Sequence, residues 1–80
     1  YNLEKLKVLN KNLENLDSDL NITIFQKVST IDLRFNKLAY IKSSYFNGMK
    51  KLIYLYISYN MISYIEKKSF LDIPSLSLID

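Results

Sequence analysis

Asp17, Asp19 and Asn21 stand at alternate positions, the spacing at which the opening of a calcium-binding loop presents its oxygen ligands. The continuation fails that chemistry. Ile22 occupies the place where the sharp turn needs glycine, and Val28 falls where a bidentate glutamate would close the coordination shell. A solvated acidic turn is the better reading, and no metal is expected. Catalysis finds less to work with, because the chain has no His and no Cys. The usual general base and the strongest side-chain nucleophile are therefore missing, and the remaining Ser, Tyr, Lys and carboxylates form no recognisable pairing. No enzyme activity and no cofactor are expected. A further chemistry-bearing triplet is Asn21-Ile22-Thr23, a glycosylation acceptor with no proline at its centre, which makes Asn21 a candidate glycan site in a secreted chain.

Charge is no sharper a guide. The 80 residues carry a net charge of +3, which raises the question of an acidic partner. Nucleic acid would need a concentrated basic stripe, whereas Lys37, Lys42, Lys50, Lys51, Lys67 and Lys68 are dispersed and read as solvated residues on convex or lateral surfaces. No apolar run approaches the roughly 20 residues of a membrane span, and nothing resembles a signal peptide. Without cysteine the redox compartment cannot be read.

What the chain does carry is a pattern that occurs twice. Val28, Ile31, Leu33, Asn36, Leu38, Ile41 and Phe46 are matched, 24 positions later, by Leu52, Leu55, Ile57, Asn60, Ile62, Ile65 and Phe70. Recurrence of six apolar slots and one asparagine at a fixed period implies a stack of similar units that share one continuous core. A further copy opens at Leu76 and Ile79. Near the N-terminus, two registers compete. One places Leu3, Leu6, Val8, Leu13 and Leu16 in apolar slots but puts Lys11 where asparagine belongs; the other keeps Asn12 in that slot and leaves Glu4, Lys7, Glu14 and Asp17 in core positions. Five apolar matches outweigh one asparagine, so the first register is preferred. Its repeat is 25 residues long, Leu3 to Lys27. The extra residue is expected in the segment from Asp17 to Lys27, where Leu20, Ile22, Ile24 or Phe25 could take the phenylalanine slot.

The spacing L-x-x-L-x-L-x-x-N-x-L-x-x-I resembles the leucine-rich repeat family, and phenylalanine at the nineteenth position is similar to its 24-residue typical class, common in extracellular proteins such as Toll-like receptor ectodomains. The resemblance implies an α/β solenoid. It would be a right-handed curved stack with a short parallel β-sheet on the concave face and irregular, 3-10 or short helical segments on the convex side. The whole of 1–80 would be one repeat segment, divided at 3–27, 28–51 and 52–75, with a partial repeat at 76–80. The ending inside a repeat and the missing initiator methionine point to an internal piece of a longer protein. In the family the asparagines form a ladder along the stack, and the resemblance carries that role over to Asn36 and Asn60. Lys11 interrupts it. Chemically the role makes sense, since a buried amide can satisfy backbone groups that a sharp turn leaves unpaired.

The strand alternation leaves variable side chains on the concave face. These are Glu4, Lys5, Lys7, Leu9 and Asn10, then Ser29, Thr30, Asp32, Arg34 and Phe35. Ile53, Tyr54, Tyr56, Ser58 and Tyr59 follow, and finally Ser77, Leu78 and Asp80. Neighbouring strands lie about 4.8 Å apart, so equivalent positions stack sideways. Two such rows are Phe35 with Tyr59, and Lys7, Asp32, Tyr56 and Asp80. The set Asp32, Arg34, Phe35, Tyr54, Tyr56 and Tyr59 is rich in the residue types that dominate binding hot spots. It is the candidate binding face for a protein ligand or co-receptor. The blander reading is that aromatics simply pair well across strands. Function is accordingly expected to be ligand recognition in an extracellular or cell-surface protein. An intracellular scaffold or regulatory subunit is the alternative, and an attached catalytic domain elsewhere in the parent chain is a third class.

Overall fold

In the computed structural model, which describes residues 4–19, 27–46, 48–70, 73 and 75–80, the chain enters and leaves one sheet repeatedly. The elements are β1 (Lys5–Lys7), α1 (Leu16–Asp19), β2 (Thr30–Asp32), β3 (Tyr40–Ile41), β4 (Tyr54–Tyr56), β5 (Tyr64–Ile65) and β6 (Leu78–Ile79). β1, β2, β4 and β6 form a four-stranded parallel sheet in that order. Parallel neighbours require a crossover of a dozen or more residues, and the rest of each repeat provides it. The register follows the repeat: Lys5 pairs with Thr30, a step of 25, and Thr30 pairs with Tyr54, a step of 24. Lys11 is thus the counterpart of Asn36, as the preferred N-terminal register requires.

Within the strands, period-two alternation turns Ile31 and Leu55 inward, where both are fully buried. They join Leu13, Leu16, Val28, Leu33, Leu38, Phe46, Met49 and Leu52 in a single core. The second repeat has a neighbour on each side, and its six apolar slots from Val28 to Phe46 are all at 0% exposure. In the next repeat Leu52, Leu55 and Ile57 are buried as well, but the later slots are less covered. Ile62 and Phe70 are half-buried, and Ile65 is 45% exposed where Ile41 is buried. Ile79, also expected in an apolar core slot, is 44% exposed. The reason is positional, because a slot is closed by the layer on each side of it, and the described residues beyond Phe70 are 73 and 75–80.

The return segments, expected to be irregular, 3-10 or short helical, also carry strand. β3 and β5 pair in parallel, Tyr40 with Tyr64 and Ile41 with Ile65, as a second, two-stranded sheet. The repeated Tyr-Ile dipeptide joins an aromatic to a β-branched residue, both of which favour strands. Beyond each strand the chain closes tight turns, with Tyr45 N–H donating to Lys42 C=O at 3.1 Å and Ser69 N–H to Glu66 C=O at 3.1 Å. The described residues contain one helix, the single turn α1, whose start is capped by Asn15 accepting the Asp17 N–H at 2.9 Å. The candidates for the first repeat's phenylalanine slot, Leu20, Ile22, Ile24 and Phe25, lie outside the described residues, as does Leu3.

Candidate binding face and its support

The asparagine positions lie beneath the exposed sheet face and hold its edge. Asn36 is buried, and its Oδ1 accepts the backbone N–H groups of Lys11 at 3.0 Å and Leu13 at 3.1 Å. Its Nδ2 donates to the carbonyls of Val8 at 2.7 Å and Leu33 at 3.0 Å. One amide therefore ties the turn of the first repeat to that of the second. Asn60 repeats the arrangement one layer on, accepting from Leu38 N–H at 3.0 Å and donating to Leu33 and Ile57 C=O. Lys11 contributes a backbone donor only, and its side chain is exposed. Even so, Leu13 and Leu16 of that repeat are buried.

The residue before each of these positions has a left-handed backbone: Asn10 at φ 56°, Phe35 at φ 62° and Tyr59 at φ 57°. This is the turn that points the asparagine inward. Asparagine tolerates the conformation, but a bulky aromatic there is an outlier that costs on the order of 1–2 kcal/mol. Both aromatics are exposed, Phe35 by 46% and Tyr59 by 69%, and their rings lie 4.6 Å apart and 5° from parallel. Stacking returns about 0.5–1.5 kcal/mol. The two effects nearly offset each other, so Tyr59→Asn is expected to change the urea midpoint little, by less than about 1 kcal/mol in stability. A loss well above that would mean that the rings are there to hold the fold.

Asp32 requires a correction. Although it occupies a face-lining position, only 2% of it is exposed. Its carboxylate is held by Arg34, with Nε to Oδ1 at 2.9 Å and Nη2 to Oδ2 at 2.7 Å, and Oδ1 also accepts the Arg34 backbone N–H at 3.2 Å. The pairing is local, because two residues of strand separation place both side chains on the same face. Hydrogen bonding from Arg34 holds the Asp32 carboxyl below the ordinary carboxylate range, against the opposing effect of burial. Asp32 is therefore a support for Arg34 and not a free contact. Arg34 in turn lies 5.1 Å from the centre of the Tyr56 ring, a cation–π arrangement.

A depressed folded-state value means that the ionised carboxylate contributes stability above its unfolded pKa of about 3.9 and loses that contribution as pH falls through the folded value. Asp32→Asn should accordingly be less stable than the parent by a constant amount above about pH 5 and converge on it below about pH 4. Urea midpoints taken from pH 2 to 6 measure this, and parallel curves would contradict it.

Of the six face residues expected from the sequence, five reach the surface in two groups: Phe35 stacked on Tyr59, and Arg34 with Tyr54 and Tyr56, Tyr54 being 43% exposed and Tyr56 half-buried. The second group lines a shallow hollow of about 330 Å³ together with Asp32, and the hollow also brings in Lys5, Lys7 and Thr30. The two lysines had no aromatic signature to draw attention to them. Their alternation at the Lys5 and Lys7 face positions was the available signal. In the row containing Lys7, Asp32 and Tyr56, Asp80 accepts hydrogen bonds from the Ile57 N–H at 3.1 Å and from the Ser58 N–H at 3.3 Å. Asn21 and its sequon lie outside the described residues. Among the described residues no cluster of His, Cys, Asp and Glu could hold a metal ion, and no helix is long and apolar enough to cross a membrane.

The family model of the leucine rich repeat matches residues 26–80, which is most of the chain. The chain belongs to the leucine-rich repeat family. No curated protein and no solved structure matches it. Repeats of this family are typically binding modules for other proteins.

Proposed function

We propose that this segment recognises a protein ligand through the exposed face of its four-stranded sheet, in an extracellular or cell-surface receptor of the typical, Toll-like class. The observation that carries the reading is the Phe35–Tyr59 stack, in which two aromatics are displayed to solvent from backbone positions that disfavour them. One stack offsets the cost at only one of the two positions, and strain left over in the fold is most economically explained by a use outside it. Tyr54, Tyr56 and Arg34, which line the hollow over β2, belong to the residue types enriched at hot spots. Recognition would proceed by shape and hot-spot complementarity on a rigid support, with no chemical step.

A display screen against secreted ectodomains, with every hit retested on variants, is the direct test. Tyr56→Ala should cost about 2 kcal/mol of affinity or more, a roughly 25-fold rise in Kd, while leaving the melting temperature almost unchanged. A large fall in melting temperature with unchanged affinity would make the aromatics structural. Extracellular placement is supported by the phenylalanine at the nineteenth position and by the Asn21 sequon. Expression through a eukaryotic secretory pathway should give a chain whose mobility shifts on glycan removal and no longer shifts in Asn21→Gln. The alternative, an intracellular scaffold or regulatory subunit, would use the same face with Asn21 unmodified.

A further inference from the structure

The hollow over β2 has two unlike walls. Lys5 and Lys7 of β1 form one, Tyr54 and Tyr56 of β4 form the other, and the short side chains of Thr30 and Asp32 make the floor between them. β1 and β4 are each one strand away from β2, so the walls stand about 9.6 Å apart. The floor is low because both floor side chains are short. Both Asp32 oxygens are engaged by Arg34, which removes that carboxylate as an obstacle to an incoming anion. Among the side chains that line the hollow, three cations stand against one carboxylate, while the more distant Asp80 acts on Arg34 and leaves Lys5 and Lys7 as the positive wall. Both lysines are exposed, and neither is in an ion pair with a described carboxylate.

We propose that this hollow takes an extended acidic peptide segment of the protein partner, with carboxylates at alternate positions on Lys5 and Lys7 and apolar side chains between them on Tyr54 and Tyr56. This deepens the protein-recognition reading and rests on it. An extended peptide sends successive side chains to opposite sides, so a single strand can present a charged edge and an apolar edge at once. That matches a hollow whose two walls differ in the same way. A nucleic-acid backbone fits less well, because it offers charge in one continuous line and not at alternate side chains. Its floor, β2, is an interior strand of the sheet, and its lysine wall stands on β1, the first strand in the described order.

The test is an NMR titration of the isotope-labelled 80-residue chain with three blocked pentapeptides, Glu-Val-Glu-Val-Glu and its Gln and Lys counterparts, and with a ten-nucleotide single-stranded RNA. The acidic peptide should shift the amides of Lys5, Lys7, Thr30 and Asp32 in a saturable way, binding at least tenfold more tightly than the Gln or Lys peptide. The combined Lys5→Glu and Lys7→Glu substitution should weaken it at least tenfold while the urea midpoint stays within error. Equal binding of the Glu and Gln peptides overturns the acidic assignment and leaves protein recognition standing. RNA binding without acidic-peptide binding overturns the proposal in favour of a polyanion site. Shifts confined to other residues, or none from any probe, also overturn it, and the Tyr56→Ala result then decides the broader reading separately.

Discussion

Phe46→Ala is expected to destabilise the chain by about 3–5 kcal/mol, the usual range for removing a fully buried phenylalanine. Phe46 is at 0% exposure, meets Tyr45 edge-on at 6.4 Å, and stacks on Phe70 at 6.1 Å. Besides the β3–β5 pairing, it is a point at which two successive repeats touch outside the four-stranded sheet. Removing it therefore opens a cavity at a junction between layers and also uncovers Phe70. At roughly 0.05–0.15 kcal/mol per residue, a domain of this size has on the order of 4–12 kcal/mol of total stability. The loss is a large fraction of that, and Phe46→Ala should be largely unfolded at urea concentrations that leave the parent intact. Phe70→Ala, at the less covered equivalent position, should cost clearly less. Equal urea midpoints for the two variants would contradict the dependence of burial on flanking layers.

Asn36→Ala is the second large effect, about 3 kcal/mol, because it leaves several buried backbone groups without a partner at once. The groups at stake are the Lys11 and Leu13 N–H donors and the Val8 and Leu33 carbonyls. Asn60→Ala should cost less, about 1–3 kcal/mol, since Asn60 and the groups around it are only partly buried and water can replace some of what is lost. Amide hydrogen exchange separates the two. Asn36→Ala should speed exchange at Leu13 and Lys11, across the junction with the first repeat, whereas Asn60→Ala should act at Leu38. Protection at Leu13 that survives Asn36→Ala would refute the ladder role.

The repeat period was legible because burial imposes it. Ile31 pairs with Leu55, Ile41 with Ile65 and Phe46 stacks on Phe70, each one layer away, so the sequence must repeat where the core repeats. Lys11 shows the converse. It breaks the pattern at little cost because Asn36 reaches back to its main chain, which any residue provides. Less legible were features set by neighbours in space. The burial of Asp32 depends on the guanidinium two residues on, and alternation alone placed it in water. β3 and β5 depend on a Tyr-Ile pair recurring at positions where the family pattern asks only for the isoleucine. The left-handed turns at Phe35 and Tyr59 were hidden because aromatic residues do not advertise that conformation, whereas a glycine or asparagine would have.

The 24-residue register has a metrical consequence for anything that lies on the sheet. Equivalent side chains recur about every 4.8 Å across the strands, while face-lining side chains on one strand recur about every 6.6 Å along it. An extended ligand also advances about 6.6 Å for every two residues. Laid along β2, it stays commensurate with Lys5 and Lys7 on one flank and with Tyr54 and Tyr56 on the other. Laid across the strands, it slips by roughly 2 Å at each step and falls out of phase within a few rows. The two directions on this small lattice are thus unequal, and the direction of the strands selects the orientation in which an extended guest can be read side chain by side chain.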